Sequence, residues 1–252
     1  MTANLNPSIR EESSSPDGKS INLVFNWNGG PVPAILMLPP RTEQPAPAAL
    51  LLHGFNLKKE HMALAAGAEL LSEGIASLAI DLPLHGERFT GYFTPPSSPF
   101  EMMKLWRAAQ EECRLALQFL AGHPDLDRNK LCLIGYSLGA FLGLKVAADE
   151  RYLRAVVLAA SGDLPDYVPF SGMVRMLADP IQWVRRLKGR PLLMIHGRQD
   201  TIVSPDLAER LFNAAREPKQ IEWFDSGHIL PQEAMRKAAN WLVETLKPRF
   251  RS

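Results

Sequence analysis

Ser137 sits in the run Gly135-Tyr136-Ser137-Leu138-Gly139, with a glycine two residues before it and another two after. This G-x-S-x-G pattern suits a serine on a tight strand-to-helix turn. Small neighbours let strand and helix approach, and the turn lifts the hydroxyl above the sheet. The context agrees: an apolar strand candidate, Leu131 to Ile134, precedes the serine, and a helix candidate, Leu138 to Ala148, follows it. A helix beginning there adds N–H groups and a positive dipole end. A serine hydroxyl is a weak nucleophile until a base removes its proton, and the base needs a partner to hold its tautomer. Of the six histidines, His61 falls on a helix and His123 in a polar turn, while His53, His85 and His196 each lie just beyond a strand and could approach. His228 stands apart. It follows Asp225-Ser226-Gly227 on a loop between the last strand and the final helix. For the acid, Asp200 has the best position, on the loop leaving the penultimate strand, and Asp225 is its rival.

These side chains need a sheet to carry them. Short apolar runs recur at 48–52, 76–80, 131–134, 155–160, 191–195 and 220–224, each too short for a helix. Helical stretches separate them at 58–72, 100–121, 138–148, 205–215 and 232–246. Strands without alternation, separated by helices, predict a mostly parallel central sheet flanked by helices, an α/β architecture. Ahead of it, 21–27 and 32–38 around Asn28-Gly29-Gly30 read as an antiparallel hairpin. Residues 1–19, polar and rich in Ser, Glu and Pro, are expected to form a flexible N-terminal arm. The rest, 20–252, reads as one domain. The connection between Ala160 and Pro191 is long for an α/β unit, so a small cap is expected at about 163–190.

Composition narrows the function. Lys plus Arg number 28 against 27 Asp plus Glu, a formal net charge of +1, which supplies no field for collecting nucleic acid or an anionic membrane. No stretch approaches the roughly 20 apolar residues of a membrane span, and the first residues lack a signal-peptide pattern. Cys113 and Cys132, on a predicted helix and a predicted buried strand, read as free core thiols. A cytoplasmic location is expected.

With these motifs placed, the chain resembles the α/β-hydrolase superfamily over about residues 20–247. The order Ser137, Asp200, His228 is the order of nucleophile, acid and base in that fold. Asp81-Leu82-Pro83-Leu84-His85-Gly86-Glu87-Arg88 is similar to the D-x-P-x-H-G-x-R stretch of small bacterial esterases, near the dienelactone hydrolases and the catalytic domains of prolyl oligopeptidases. His53-Gly54-Phe55 resembles the H-G-x oxyanion segment. The resemblance implies an oxyanion hole from the backbone N–H groups of Phe55 and Leu138. It also implies a serine carboxylesterase acting on small-molecule esters through an acyl-enzyme, with no metal and no organic cofactor. A serine peptidase, a lactone hydrolase or a hydrolase-fold binding protein are the alternatives. Serine where dienelactone hydrolases usually carry cysteine favours ester cleavage over lactone opening. Asp81, His85 and Arg88 are expected to pin their loop.

Overall fold

The computed structural model describes residues 5–27, 30–89, 91, 98–165 and 178–247. The strands are β1 (Ser8–Ser15), β2 (Gly18–Trp27), β3 (Gly30–Leu38), β4 (Ala46–Leu52), β5 (Ala76–Ile80), β6 (Leu126–Tyr136), β7 (Ala155–Ala159), β8 (Leu192–Gly197) and β9 (Lys219–Phe224). They form one sheet in the order β1-β2-β3-β5-β4-β6-β7-β8-β9. The first three strands run antiparallel to their neighbours, and β3 meets β5 antiparallel. From β5 across to β9 every pairing is parallel.

The continuous apolar runs explain this layout. In β4, Ala48, Leu50 and Leu52 belong to one core cluster, and Ala49 and Leu51 to another on the opposite face. Alternate side chains of one strand leave opposite sides of the sheet, so a strand buried on both faces needs apolar residues at every position. Among the described residues, four helices cover the first face: α3 (Pro99–Gly122), α4 (Leu138–Asp149), α5 (Pro180–Arg185) and α6 (Pro205–Ala214). The other face carries α1 (Lys59–Met62), a π-helical turn over Ala63–Gly67, α2 (Ala68–Ser72) and α7 (Gln232–Leu246). Cys113 and Cys132 are buried free thiols, and burial pushes both well above the usual thiol range.

Two expectations need correction or limits. The flexible arm over 1–19 does not hold as a whole, because Ser8–Ser15 is β1, paired with β2 from Ser8 opposite Val24 to Ser15 opposite Gly18. Backbone hydrogen bonds to β2 order a segment with almost no apolar side chains. Of the cap at about 163–190, residues 166–177 lie outside the described residues. Its described part beyond Ala178 gives one face to the core: Trp183, Val184 and Leu187 are buried while Gln182, Arg185 and Arg186 are exposed, and Trp183 packs edge-on to Phe141 of α4 and stacks on Trp106.

Candidate active site

Ser137 lies between β6 and α4 with φ 50° and ψ −114°. That conformation is sparsely populated for a residue with a Cβ and costs about 1–3 kcal/mol, a cost the surrounding packing must hold. The two flanking glycines make the turn possible. A Cβ on Gly135 would lie 2.4 Å from the Gly139 carbonyl oxygen, and one on Gly139 would lie 2.3 Å from that of Leu52. The start of α4 therefore presses directly on the end of β4 and on the last residues of β6.

The strand ends deliver the remaining groups. The Ser137 hydroxyl is 2.9 Å from His228 Nε2, and His228 Nδ1 is 2.8 Å from Asp200 Oδ2. The network fixes the tautomer: Nδ1–H donates to the carboxylate, leaving Nε2 to accept the serine proton. Asp200 is buried, and its Oδ1 accepts the Ile202 and Val203 N–H groups at 2.9 and 3.0 Å. His196 lies beneath it, with Nε2 at 2.9 Å from the Val203 carbonyl and 3.5 Å from Asp200 Oδ2. Burial pushes His196 below the usual histidine range, so it packs there neutral. Asp225, the rival acid, is exposed and lies 3.5 Å from Arg198 Nε.

Tyr136 completes the loop, and no sequence signal pointed to it. Its hydroxyl accepts the Leu230 N–H at 3.1 Å and donates to the His228 carbonyl oxygen. The loop carrying the imidazole is thereby tied to the residue next to the serine.

His53-Gly54-Phe55 passes beside the nucleophile, since a Cβ on Gly54 would lie 3.4 Å from that of Ser137. A turn closes there, with the Leu57 N–H donating to the Gly54 carbonyl at 3.2 Å and Asn56 at φ 58°. Asn tolerates that left-handed position. Leu138 is the first residue of α4, so its N–H has no intrahelical acceptor.

Around this turn sits a buried polar network. Asp81 accepts the Lys59 N–H at 2.8 Å, the Lys59 ammonium at 3.2 Å and the Glu87 N–H at 3.0 Å. Arg88 forks onto Glu112 of α3 at 2.7 and 2.9 Å and also reaches the Asp81 carbonyl. Gly86, at φ 56°, is required here, because a Cβ would fall 2.1 Å from Asp81 Oδ1. Asp81 and Arg88 thus hold the loop after β5. His85 donates from Nδ1 to the Pro83 carbonyl at 2.8 Å, and its ring meets Phe55 edge-on. Lys59, buried to 2% exposure, was hidden in an ordinary charged helix start.

His53 couples the two loops. Its Nε2 accepts the Leu82 N–H at 3.0 Å and its Nδ1–H donates to the Gly54 carbonyl at 2.8 Å. Only the neutral ring can do both. Burial pushes His53 down to about 4. An unfolded histidine titrates near 6.5. Below that pH the unfolded chain takes up a proton that the folded chain refuses until about pH 4, so stability falls as pH drops through this window. The loss is about 3 kcal/mol. Urea unfolding of the wild type and His53→Asn at a series of pH values should show a clearly steeper slope in the wild type than in the variant, where the buried His196 still contributes. Parallel curves would mean that His53 does not carry it.

Among known proteins, the model of the alpha/beta hydrolase family matches residues 49–189. The chain belongs to the alpha/beta hydrolase family. Among its relatives in the family, esterase YjfP of Escherichia coli is 27% identical over 197 residues, covering 69% of this chain and 77% of that protein. Polyketide transferase ATR5 of Stachybotrys chlorohalonatus is 28% identical over 188 residues, 74% of this chain and 60% of that one. The chain spans about three fifths of the length of the first curated relatives it matches. Among solved structures of this hydrolase fold, TT1662 from Thermus thermophilus superposes with a TM-score of 0.71 at 27% identity, covering 91% of this chain and 99% of that one. Acetyl xylan esterase 1 from Thermoanaerobacterium shares the fold at a TM-score of 0.72 and 19% identity, covering 96% of this chain and 89% of that one. No helix among the described residues is long and apolar enough to cross a membrane.

Proposed function

We propose that the chain is a serine hydrolase that cleaves small to medium acyl esters through an acyl-enzyme on Ser137. The observation that carries this reading is the unbroken hydrogen-bond line from Ser137 through His228 to Asp200. His228 Nε2 takes the hydroxyl proton as Oγ attacks the acyl carbon, and Asp200 stabilises the imidazolium that results. The backbone N–H groups of Phe55 and Leu138 receive the oxyanion, an interaction worth roughly 3–4 kcal/mol per donor in the transition state. His228 then returns the proton to the leaving alcohol. Water, deprotonated by the same imidazole, releases the acid and regenerates the serine. The likeness to an esterase of similar length supports an ester as substrate.

A fluorophosphonate probe should label the wild-type chain at Ser137, and p-nitrophenyl esters from acetate to decanoate should compete, the short chains best. Only an activated serine reacts with such a probe. A chain that stays unlabelled and hydrolyses none of the esters would sink the reading in favour of a binding role.

A further inference from the structure

A concave site lies at the opposite end of the sheet from Ser137. Ser137 sits where β6 ends, whereas this cleft opens where β6, β7, β8 and β9 begin, beside the end of α7. Its volume is about 970 Å³. Eight of its lining residues are Lys or Arg and none is Asp or Glu. In a chain whose net charge is +1, that is a strongly polarised surface.

The cations divide by partner. Arg128, Arg151, Arg154 and Lys188 form no ion pair with any described residue, and all are exposed. The other four are partly occupied from outside the cleft. Lys130 reaches Asp127 at 3.6 Å, Arg186 reaches Asp149 at 2.7 Å, Arg190 donates to the Ala147 carbonyl, and Lys247 pairs with Glu244. Like charges gathered on low-dielectric walls repel one another and focus a positive field into the concavity. An anion carrying several charges relieves that repulsion.

The composition says which anion. Arginine dominates, and its planar fork matches phosphate oxygens in pairs, as a lysine point charge does not. The volume is that of a small-molecule pocket. Tyr152, 39% exposed, lies on the same wall with Pro191 and Pro218 and offers a flat apolar surface beside the charges. A duplex would need a long basic stripe and a basic chain; the net charge is only +1, and these cations gather in one cleft instead of along a stripe. We infer that this cleft binds a small molecule bearing a linear di- or triphosphate, either as part of a nucleotide or as free polyphosphate.

The test is calorimetric titration of the full chain with inorganic tripolyphosphate and, separately, with ATP, at about 0.15 M salt. Tripolyphosphate is expected to bind at one site per chain, and Arg154→Ser with Lys188→Ser should weaken it about tenfold or more. Both residues are exposed, so the fold is retained, and Arg151→Glu gives an independent variant with the same expected loss. ATP binding more tightly than tripolyphosphate identifies a nucleotide site, with the base on the Tyr152 wall. Equal binding identifies a polyphosphate site. Binding to Ser137→Ala should match the wild type, because the two sites stand at opposite strand ends. No binding of either probe at about 1 mM overturns the inference. So does binding that the variants leave unchanged, or a short DNA duplex bound more tightly than both probes and lost in the same variants.

Discussion

Ser137→Ala is expected to lower turnover of p-nitrophenyl acetate by about 10⁴- to 10⁶-fold, with the fold and its thermal stability unchanged. The size follows from the proposed mechanism. Removing the hydroxyl deletes covalent catalysis and leaves His228 and Asp200 with nothing to activate, so the whole unit is lost at once. What survives is oxyanion binding and positioning, typically worth 10³- to 10⁴-fold over water. Stability should hold because alanine keeps the Cβ, and with it the backbone geometry at φ 50°. Among the described residues, the side-chain hydrogen bond given up is the one to His228, which is part-buried. Steady-state assays beside thermal melts would measure both. Turnover within a few-fold of wild type would remove Ser137 from the chemistry and with it the acyl-enzyme.

Gly139→Ala should be nearly as informative, because it adds one methyl group outside the reacting atoms. That Cβ would lie 2.3 Å from the Leu52 carbonyl oxygen, 2.5 Å from its carbon and 2.6 Å from the His53 oxygen. All three are backbone atoms, which cannot rotate away. Reaching ordinary contact needs a displacement of about 1 Å between α4 and the end of β4. Overpacking of this kind costs about 1–3 kcal/mol, a fall in Tm of roughly 2–12 °C for a chain this size. Turnover should drop about 100-fold, since an ångström of misplacement would separate Ser137 from the proposed oxyanion donors. Gly143→Ala is the control. Its closest contact, at 2.5 Å, is the tip of the Leu133 side chain, which can turn aside, so activity there should fall far less. Equal losses in both variants would show that general helix strain, and not the β4–α4 contact, governs the serine.

How much of this was legible in the residues depends on how local each signal is. Ser137, Asp200 and His228 could be placed because each follows a short apolar run whose end marks a strand terminus. Parallel strands then bring those termini to one edge. The antiparallel hairpin was legible for a similar reason, as its turn residues and alternation lie within one stretch. β1 was not, because Ser, Glu and Arg carry no hydrophobic period, and its order comes from backbone pairing with β2 and an ion pair from Arg10 to Glu87. Lys59 and Tyr136 were hidden for another reason. Apart from Glu60 beside Lys59, their partners lie 22 residues or more away in sequence, and nothing about a lysine or tyrosine at those positions announces them. The basic cleft escaped because a net charge is a sum: balanced totals say nothing about eight cations meeting where four strands begin.

β1 has a further consequence. Every residue of it is exposed, and the next strand inward carries buried Ile21, Leu23 and Phe25. An open strand edge offers its unpaired N–H and C=O groups to any other extended chain. In this molecule that outer margin bears Arg10, Glu11, Glu12 and a serine run, with the register broken between Ile9 and Glu11. A second molecule trying to extend the sheet would meet charge and irregular spacing before reaching the apolar side chains of β2. The strip with the least sequence signal is thus the hem that stops one sheet from being stitched to another.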